Sequence, residues 1–503
     1  GTTVIARPRP SPAQEGGARA PASENRATRP AVPVRGRVSG QHFYDWLPVG
    51  AQQMLISAAG WRSYRYRFGA MFRRTLQELH ASDFRDADQI REDQDRRLRE
   101  MAQWAATTVP YYQRLFRSEG IDPSTIRGAE DLHRIPILAK DTLRDCPREL
   151  RSEAIPDRQI VPGHSSGTTG TALHLFHCRE AFAWEYAVIW RQREWFGVKL
   201  SDKYAAFGGQ TVVPFHQRRP PFWRHDRGRG RVLFSIYHMT PENLEHYVEE
   251  LRRPGYRFWQ GYPSAIALVG RYLLEHGISL GERAPRAVFT SSESLLDFHR
   301  EQIASATGAP IDDRYGHSEL AVSALQCPAG SYHVDSEFCV IEIDPHEEGE
   351  DWVRGEVIAT GLANRAMPLL RYRTGDVATL RKRGVCPCGR ARPILEQIDG
   401  RIEDYVITPD GRQIGRMDHV FKETLEIKEA QIYQPTADHL IVRLVPSAGF
   451  DKTAERALER EFRRRVGYDL QIDYEIVDAI PRLPSGKFRA VVSDAAAGLG
   501  GGS

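Results

Sequence analysis

Apolar residues recur at helical spacing along the charged segment from residue 87 to about residue 116. An apolar residue every three or four positions marks one face of an amphipathic helix, so the pattern predicts helices that pack on a core. The proline at position 110 predicts that a helix ends near that point. The apolar positions are Ile90, Leu98, Met101, Trp104 and Ala105.

Between about residues 155 and 400, short apolar segments alternate with helical stretches. The apolar segments include 288–289, 340–341 and 356–359, and the helical stretches include 243–251 and 264–277. Short apolar runs predict buried strands, and strands that alternate with helices favour a layered α/β domain.

A boundary is predicted at residues 399–401, because the roughly 90 residues beyond it have the pattern of a compact unit of their own. A Pro-Asp-Gly turn at 409–411 predicts a hairpin, and a helix over 451–465 precedes strands around 470–477. This pattern predicts a small α+β domain. The predicted organisation is a disordered basic tail over 1–40, a large domain over 41–399, a small domain over 400–494 and a flexible Gly-rich tail over 495–503.

Composition narrows the class of protein. The chain has 503 residues, 27% of them charged, and its 69 basic and 66 acidic residues give a net charge of +3. The first 40 residues hold seven Arg and two Glu, so the remaining chain has a slightly negative net charge. This charge gives no indication of a nucleic-acid-binding face. No apolar run approaches the roughly 18 residues of a membrane span. With no secretory apolar region in the tail and only six cysteines, a cytoplasmic protein is expected.

Four short segments carry candidate chemistry. The first, Ser165-Ser166-Gly167-Thr168-Thr169-Gly170, offers free backbone amides and small hydroxyls, which suit a polyphosphate. It lacks the Gly-Lys-Ser/Thr ending of a Walker loop, so a P-loop NTPase is disfavoured. Taken alone, such a cluster also fits an ordinary loop, here one that follows a possible strand end at Ile160-Val161.

The second segment places Tyr315 four residues before Glu319, with Gly316 between them. An aromatic ring can cover a purine, and a carboxylate can help to hold the Mg²⁺ that accompanies ATP. The third places Asp376 after a Thr-Gly turn, where its carboxylate could accept from ribose hydroxyls or simply cap the turn. The fourth contains Lys487, one of only eight lysines, whose ammonium could neutralise a phosphate.

Taken together and in this order, the segments resemble the adenylate-forming superfamily of acyl-CoA synthetases, peptide-synthetase adenylation domains and luciferases. The narrower resemblance is to the phenylacetate-CoA ligase family, in particular its CapK-like branch, and covers about residues 42 to 492. The stretches that carry it are Val-Pro-Tyr-Tyr at 109–112, Pro-Ile-Leu-Ala-Lys at 136–140, Gly-Tyr-Pro-Ser at 261–264, Pro-Leu-Leu-Arg-Tyr-Arg-Thr-Gly-Asp at 368–376 and Ser-Gly-Lys-Phe-Arg-Ala at 485–490.

The resemblance implies an α/β adenylate-forming fold with a large multi-layer N-terminal domain and a small C-terminal lid that rotates between two half-reactions. It implies that residues 165–170 hold the ATP phosphates, with Tyr315 and Gly316 at adenine. Glu319 would bind Mg²⁺ and Asp376 the ribose. The implied catalytic residues are Lys487, Arg401 and Thr168. The hinge would be Glu403 or Asp404, and glutamate at the first position departs from the aspartate usual in the family.

A second candidate site is a structural zinc. Cys327, His333, Cys386 and Cys388 could supply four tetrahedral ligands, although the Cys-x-Cys spacing is tighter than the usual Cys-x-x-Cys. Similar elements occur in phenylacetate-CoA ligase relatives. The alternative is a set of reduced thiols.

The predicted reaction is ATP-dependent activation of a small carboxylic acid to an acyl-adenylate, followed by transfer of the acyl group, with CoA the acceptor that the resemblance favours. Two alternatives stay open. The acceptor could be an amine or hydroxyl, as in polysaccharide or secondary-metabolite assembly, or the chain could be a nucleotide-binding homologue without catalysis. Residues Phe207, Gly208, Trp259, Gly261 and Tyr262 are candidates for an apolar acyl pocket, or else for core packing.

Overall fold

The computed structural model describes residues 43–164, 173–401, 406–409, 413–414, 417–421, 427–446, 450–482 and 488–497. Of the described residues, 43–46 belong to one unit, and those from Leu47 onward form a second, compact unit. Within the described ranges, no helix is both long enough and apolar enough to cross a membrane.

The second unit is built on a mixed sheet, which the described residues show as 12 strands in the order β11-β12-β13-β14-β10-β9-β8-β7-β6-β3-β5-β4. The predicted layered α/β architecture is confirmed. The strands are β3 Tyr204–Gly208, β4 Trp223–Asp226, β5 Arg231–Ser235, β6 Phe258–Gly261, β7 Ala287–Ser291, β8 Ile311–Gly316, β9 Ser323–Gln326, β10 Tyr332–Val334, β11 Cys339–Glu348, β12 Trp352–Gly361, β13 Tyr372–Arg381 and β14 Ile394–Arg401.

Strands β3, β5, β6, β7 and β8 run parallel. Helices connect four of them, β5 to β8, namely α7 Leu244–Leu251 before β6, α8 Pro263–Glu275 before β7 and α9 Asp297–Thr307 before β8. Because parallel strands joined by crossover helices all end at one edge, ligands bind at that edge in such sheets.

The helices that precede the sheet are α1 Val49–Arg67, α2 Ala70–Ser82, α3 Ala87–Thr108, α4 Pro110–Ser118, α5 Lys140–Asp145 and α6 Arg179–Trp195. Of these, α3 and α4 lie in the segment predicted to be helical. Helix α3 begins at a capping box in which Asp86 accepts from the Gln89 backbone at 2.8 Å. It buries Ile90, Leu98 and Met101. The proline at 110 ends one helix and begins the next, because a proline is favoured in a first helical turn.

Two strands form a separate hairpin beside the sheet. They are β1 Ile160–His164 and β2 His174–Cys178, which pair antiparallel from Ile160 opposite Cys178 to His164 opposite His174. The strand predicted to end near Ile160-Val161 therefore exists and continues to His164.

The C-terminal residues form a sheet of their own in the order β19-β18-β17-β20. Its strands are β17 Ile427–Thr436, β18 His439–Pro446, β19 Gln471–Ile476 and β20 Val491–Ser493, and it packs with α10 Lys452–Val466. Asp451 caps α10 by accepting from Thr453 and Ala454. Burial of Leu458 and Phe462 contributes about 1.5–3 kcal/mol each.

Two short elements flank that sheet. Strands β15 Val406–Ile407 and β16 Gln413–Ile414 pair antiparallel on either side of the predicted Pro-Asp-Gly turn. Helix α11, Asp494–Ala497, occupies the first positions of the segment predicted as a flexible tail, so residues 495–497 correct that expectation. The Tyr433 hydroxyl donates to Asp494 at 2.7 Å and fixes the start of this helix to β17.

Candidate active site

Tyr315 lies at the carboxyl end of β8, the edge where the parallel strands finish. Its hydroxyl donates to Asp376 Oδ2 at 2.8 Å, and its ring meets the His317 ring edge-on at 5.2 Å between centroids. Burial, and then the neighbouring Asp376 carboxylate, raise the pKa of Tyr315 well above its ordinary value. The hydroxyl therefore stays protonated and acts as a donor.

Asp376 reaches Tyr315 because β13 bulges. Three residues of β13, at 374–376, face the single residue Val357 of β12, and Gly375 takes a φ of 79° that glycine tolerates. The Thr374 hydroxyl ties the bulge together by donating to the Val357 carbonyl and accepting from the Asp376 amide. The buried carboxylate of Asp376 also contacts His317 Nε2. The bulge thus aims the carboxylate at the end of β8.

Glu319 is buried three residues after β8, where Tyr372 donates to its Oε1 at 3.3 Å. The β1–β2 hairpin lies against this segment, because His177 Nε2 is 2.8 Å from the Ser318 carbonyl. A Cβ on Gly163 would come within 2.6 Å of the His177 ring, so glycine is needed opposite it. The hairpin therefore packs against the segment that carries Glu319.

Several predicted residues cannot be placed. The following lie outside the described residues: Ser165, Ser166, Gly167, Thr168, Thr169, Gly170, Glu403, Asp404 and Lys487. The backbone of Arg401, at the end of β14, pairs directly with Asp376. Tyr315, Gly316, Glu319, Asp376 and the backbone of Arg401 are thus brought together, although 86 positions separate the first from the last.

Two contacts at this edge were not predicted. Glu293 accepts from the Phe488 amide at 2.6 Å and from the Ser264 amide, in the first turn of α8, at 3.2 Å. Phe488 directly follows Lys487, so this contact joins the C-terminal segment to the large sheet. The other lies between His317 Nε2 and Asp376 Oδ2. No local pattern marks either pairing, because the partners are distant in sequence.

A cavity of about 290 Å³ lies at the ends of β3, β6 and β7. Four of the candidate acyl-pocket residues line it, namely Phe207, Gly208, Gly261 and Tyr262. Trp259 does not, because its side chain is fully buried in the core beneath the sheet. Ser292 at the cavity has a left-handed φ of 73°, an unfavourable conformation for a residue with a side chain.

The four predicted zinc ligands converge elsewhere in the unit. The ligand atoms of Cys327, His333, Cys386 and Cys388 all lie within 4.8 Å of one another. The Cys327 and Cys386 sulfurs are 3.6 Å apart, close to the roughly 3.8 Å edge of a tetrahedral zinc–thiolate site. Burial lowers the pKa of His333 to about 4, so the imidazole is in the neutral form that binds metals.

Comparisons with known proteins agree with this architecture. Residues 406–494 match the family model of the CapK C-terminal domain. The chain is 24% identical over 460 residues to Protein CapK of Staphylococcus aureus, which covers 90% of this chain and 99% of that protein. It is 27% identical over 416 residues to a phenylacetate-coenzyme A ligase of Thermus thermophilus, which covers 79% and 87%.

Among solved structures, 2-hydroxyisobutyryl-CoA ligase in the postadenylation state has the same fold, with a TM-score of 0.66 and 19% identity over 82% of this chain and 91% of that one. The fold and the relatives define an adenylate-forming ligase. Within that class, the chain is similar to the CapK-like branch of the phenylacetate-CoA ligase family.

Proposed function

We propose that this ligase uses ATP to join a carboxylic acid to CoA through an acyl-adenylate. The observation that supports the proposal is the convergence of Tyr315, Glu319 and Asp376 at the carboxyl edge of the parallel strands, beside a cavity of about 290 Å³. A nucleotide and an acid could lie side by side there. The relatives named phenylacetate-coenzyme A ligase supply the expectation that CoA is the acceptor.

In the proposed first half-reaction, a carboxylate oxygen attacks the α-phosphorus of ATP. A new P–O bond forms, the bond to the bridging oxygen of the β-phosphate breaks, and pyrophosphate leaves. Tyr315 would lie on adenine, Asp376 would accept from ribose hydroxyls, and residues 165–170 would donate to the phosphates. The Glu319 carboxylate suits Mg²⁺, which would offset phosphate charge. Lys487 and Arg401 would stabilise charge at the α-phosphate.

In the second half-reaction, the CoA sulfur bonds to the acyl carbon, the bond to AMP breaks and the thiol proton is released. We propose that residues 400–494 form a lid that moves between the two steps, with Glu403 or Asp404 at the hinge. Two observations support this division: the C-terminal sheet shares no strand with the large sheet in the described residues, and the CapK C-terminal match begins at residue 406.

Exchange of labelled pyrophosphate into ATP tests the first step. A panel of carboxylic acids would first identify one that supports exchange. The Lys487→Ala variant should then lose acid-dependent exchange by at least about 100-fold while it still binds ATP, because the lysine acts on charge that develops during attack. Lys452→Ala, at an exposed position that begins α10, is the matched control. Unchanged exchange in Lys487→Ala would contradict the proposal.

Product analysis decides the acceptor. With ATP and the acid present, mass spectrometry should find an acyl-CoA when CoA is added and only acyl-adenylate and its hydrolysis products when CoA is omitted. An amide or ester formed without CoA would instead favour an amine or hydroxyl acceptor.

We further propose that Cys327, His333, Cys386 and Cys388 hold a structural Zn²⁺. Four buried or half-buried soft ligands with this spacing fit a closed tetrahedral site. The loop that carries Cys388 is fixed next to it, because Arg390 donates to Asp83 at 2.9 Å and stacks over Trp195. Metal analysis of chelator-washed protein should find about one zinc per chain.

Cys386→Ser should lose that zinc, whereas Cys146→Ser, which changes a cysteine outside the cluster, should keep it. Wild-type protein without stoichiometric zinc would rule the site out.

A further inference from the structure

The cavity lies next to the candidate nucleotide site, because paired residues of β7 and β8 belong to the two. Its wall includes Ser291 at the end of β7, and Ser291 is the direct partner of Arg314, the residue before Tyr315. The cavity is therefore placed where the acid would meet ATP. Glycine is required at position 261 in its wall, because a Cβ there would come within 2.0 Å of the Phe207 carbonyl oxygen.

One residue of the cavity wall, Gln260, contacts the guanidinium of Arg193. The guanidinium carbon of Arg193, on α6, is 4.7 Å from the ring centre of Trp190, 5.2 Å from that of Phe258 and 5.6 Å from that of Phe289. In the described part of the chain, no carboxylate forms an ion pair with it. Burial lowers the pKa of Arg193 to about 10, so the group is still charged at neutral pH.

Arg193 orients the side chain of Gln260. Nη2 of Arg193 donates to Gln260 Oε1, and a guanidinium can only donate, so the oxygen of this amide must face the arginine. The Nε2 group therefore points away from Arg193. Because Gln260 lines the cavity, its amide presents N–H donors to a bound molecule.

Arg231 adds a second donor to the same cavity. It is held in place by Asp226, which accepts from Nε at 2.9 Å. That carboxylate fixes the guanidinium of Arg231 at the cavity wall. The apolar side chains of Phe207, Leu233 and Phe234 also line the cavity but are almost completely buried.

We propose that the acid activated by this ligase carries a second oxygen function on its acyl part, a hydroxyl, carbonyl or carboxylate that accepts from Gln260 and Arg231. The inference rests on the proposed function and names its substrate class. A plain hydrocarbon acid would bury these donors without an acceptor, and sites built around a hydrogen bond reject analogues that lack it by factors well above about 10.

Matched acids test the inference in two separate measurements. The pairs are 4-hydroxyphenylacetate with phenylacetate, and 6-hydroxyhexanoate or adipate with hexanoate. Calorimetry measures binding of each acid, and pyrophosphate release measures activation. In at least one pair the oxygenated acid should bind and react at least about 10-fold better than its plain partner.

The Gln260→Met variant keeps a side chain of similar length but removes the donors. It should reduce the preference to less than about 3-fold by weakening binding of the oxygenated acid, with little change for the plain acid. Gln103→Met, on the exposed face of α3, is the matched control and should keep the preference.

The outcomes separate the two proposals. Preferential binding without pyrophosphate release would support the inference and contradict the proposed function. Release with no preference, or a preference that survives in Gln260→Met, would overturn the inference and leave the function standing. If the acids neither bind nor react, both are overturned.

Discussion

At the scale of single residues, the candidate site depends on a carboxylate that already has two protein partners. Asp376 Oδ2 meets the hydroxyl of Tyr315 and the ring nitrogen of His317. The sequence motifs predict Tyr315 and Asp376 as members of one site, but not that they touch. The contact depends on the bulge of β13, and a bulge is set by the pairing of two strands rather than by one of them.

Asp376→Asn should raise the KM for ATP about 10- to 100-fold with a smaller effect on kcat. An amide cannot accept from Tyr315, His317 and the proposed ribose hydroxyls together, as a carboxylate does. Hydrogen bonds to a charged group contribute about 1.5–3 kcal/mol. Steady-state pyrophosphate release at varied ATP measures the effect. Asp473→Asn is the control, since Asp473 forms a His–Asp pair with His439 on an exposed strand. A KM that stays within 2-fold would show that Asp376 does not bind the nucleotide.

At the scale of elements, the sequence predicts helices better than it predicts the long strands. The helix predicted from apolar spacing, α3, and the predicted helices α7 and α8 are confirmed, with bounds within a few residues of those predicted. The ten-residue strands β11 and β12 extend beyond the short apolar segments that predict them. Their outer halves carry charged residues that pair across strands, such as Arg354 with Glu347, and such pairing depends on the neighbouring strand.

The contact between Glu293 and Phe488 joins two elements that belong to different predicted domains. Burial raises the pKa of the Glu293 carboxyl, and the amides of Phe488 and Ser264 act against that shift, the latter from the positive end of α8. Glu293→Gln should slow adenylation about 10-fold, because the segment that follows Lys487 loses a charge-assisted hydrogen bond. The KM for ATP should change little.

Single-turnover pyrophosphate release measures the adenylation step, and thioester formation from purified acyl-adenylate measures the second step. We expect the second rate to stay within 2-fold, since only the first is proposed to use Lys487. Glu301→Gln, exposed on α9, is the control. Equal losses in both steps would show that Glu293 has a general structural role instead.

At the scale of the whole molecule, buried charge ties the helices to the sheet. Arg191 on α6 and Arg392 before β14 both bond to Glu337, and Arg191 also bonds to Asp335. The sequence does not predict this network, because single arginines and glutamates are usually exposed and nothing local marks those that are not. Motifs and spacing thus predict the fold class and single out Tyr315, Glu319 and Asp376, which the structure brings together, whereas partners that meet across the core come only from the structure.

This network should make stability depend on pH. Burial acts to raise the pKa of Glu337, but attraction to Arg191 and Arg392 outweighs it, and the net result is a pKa lowered below the ordinary value of 4.5. A carboxyl whose pKa is lowered by folding stabilises the protein above the pKa of the unfolded chain. That contribution is lost as the pH falls below the pKa of the unfolded chain, by up to about 1.4 kcal/mol per pH unit. Asp335, whose pKa burial raises, contributes in the opposite direction.

Comparison with Glu337→Gln therefore isolates the contribution of Glu337. Urea unfolding at about pH 7 should show this variant destabilised by about 3–5 kcal/mol, because two buried guanidinium groups lose their shared carboxylate. Between about pH 5 and pH 3.5 the variant should lose less stability than the wild type, since it has no carboxyl to protonate at this position. Glu347→Gln, which removes an exposed partner of Arg354, should reproduce the wild-type pH dependence and change stability by less than about 0.5 kcal/mol. Parallel pH profiles for Glu337→Gln and the wild type would show that folding does not lower the pKa of Glu337, and would contradict the prediction.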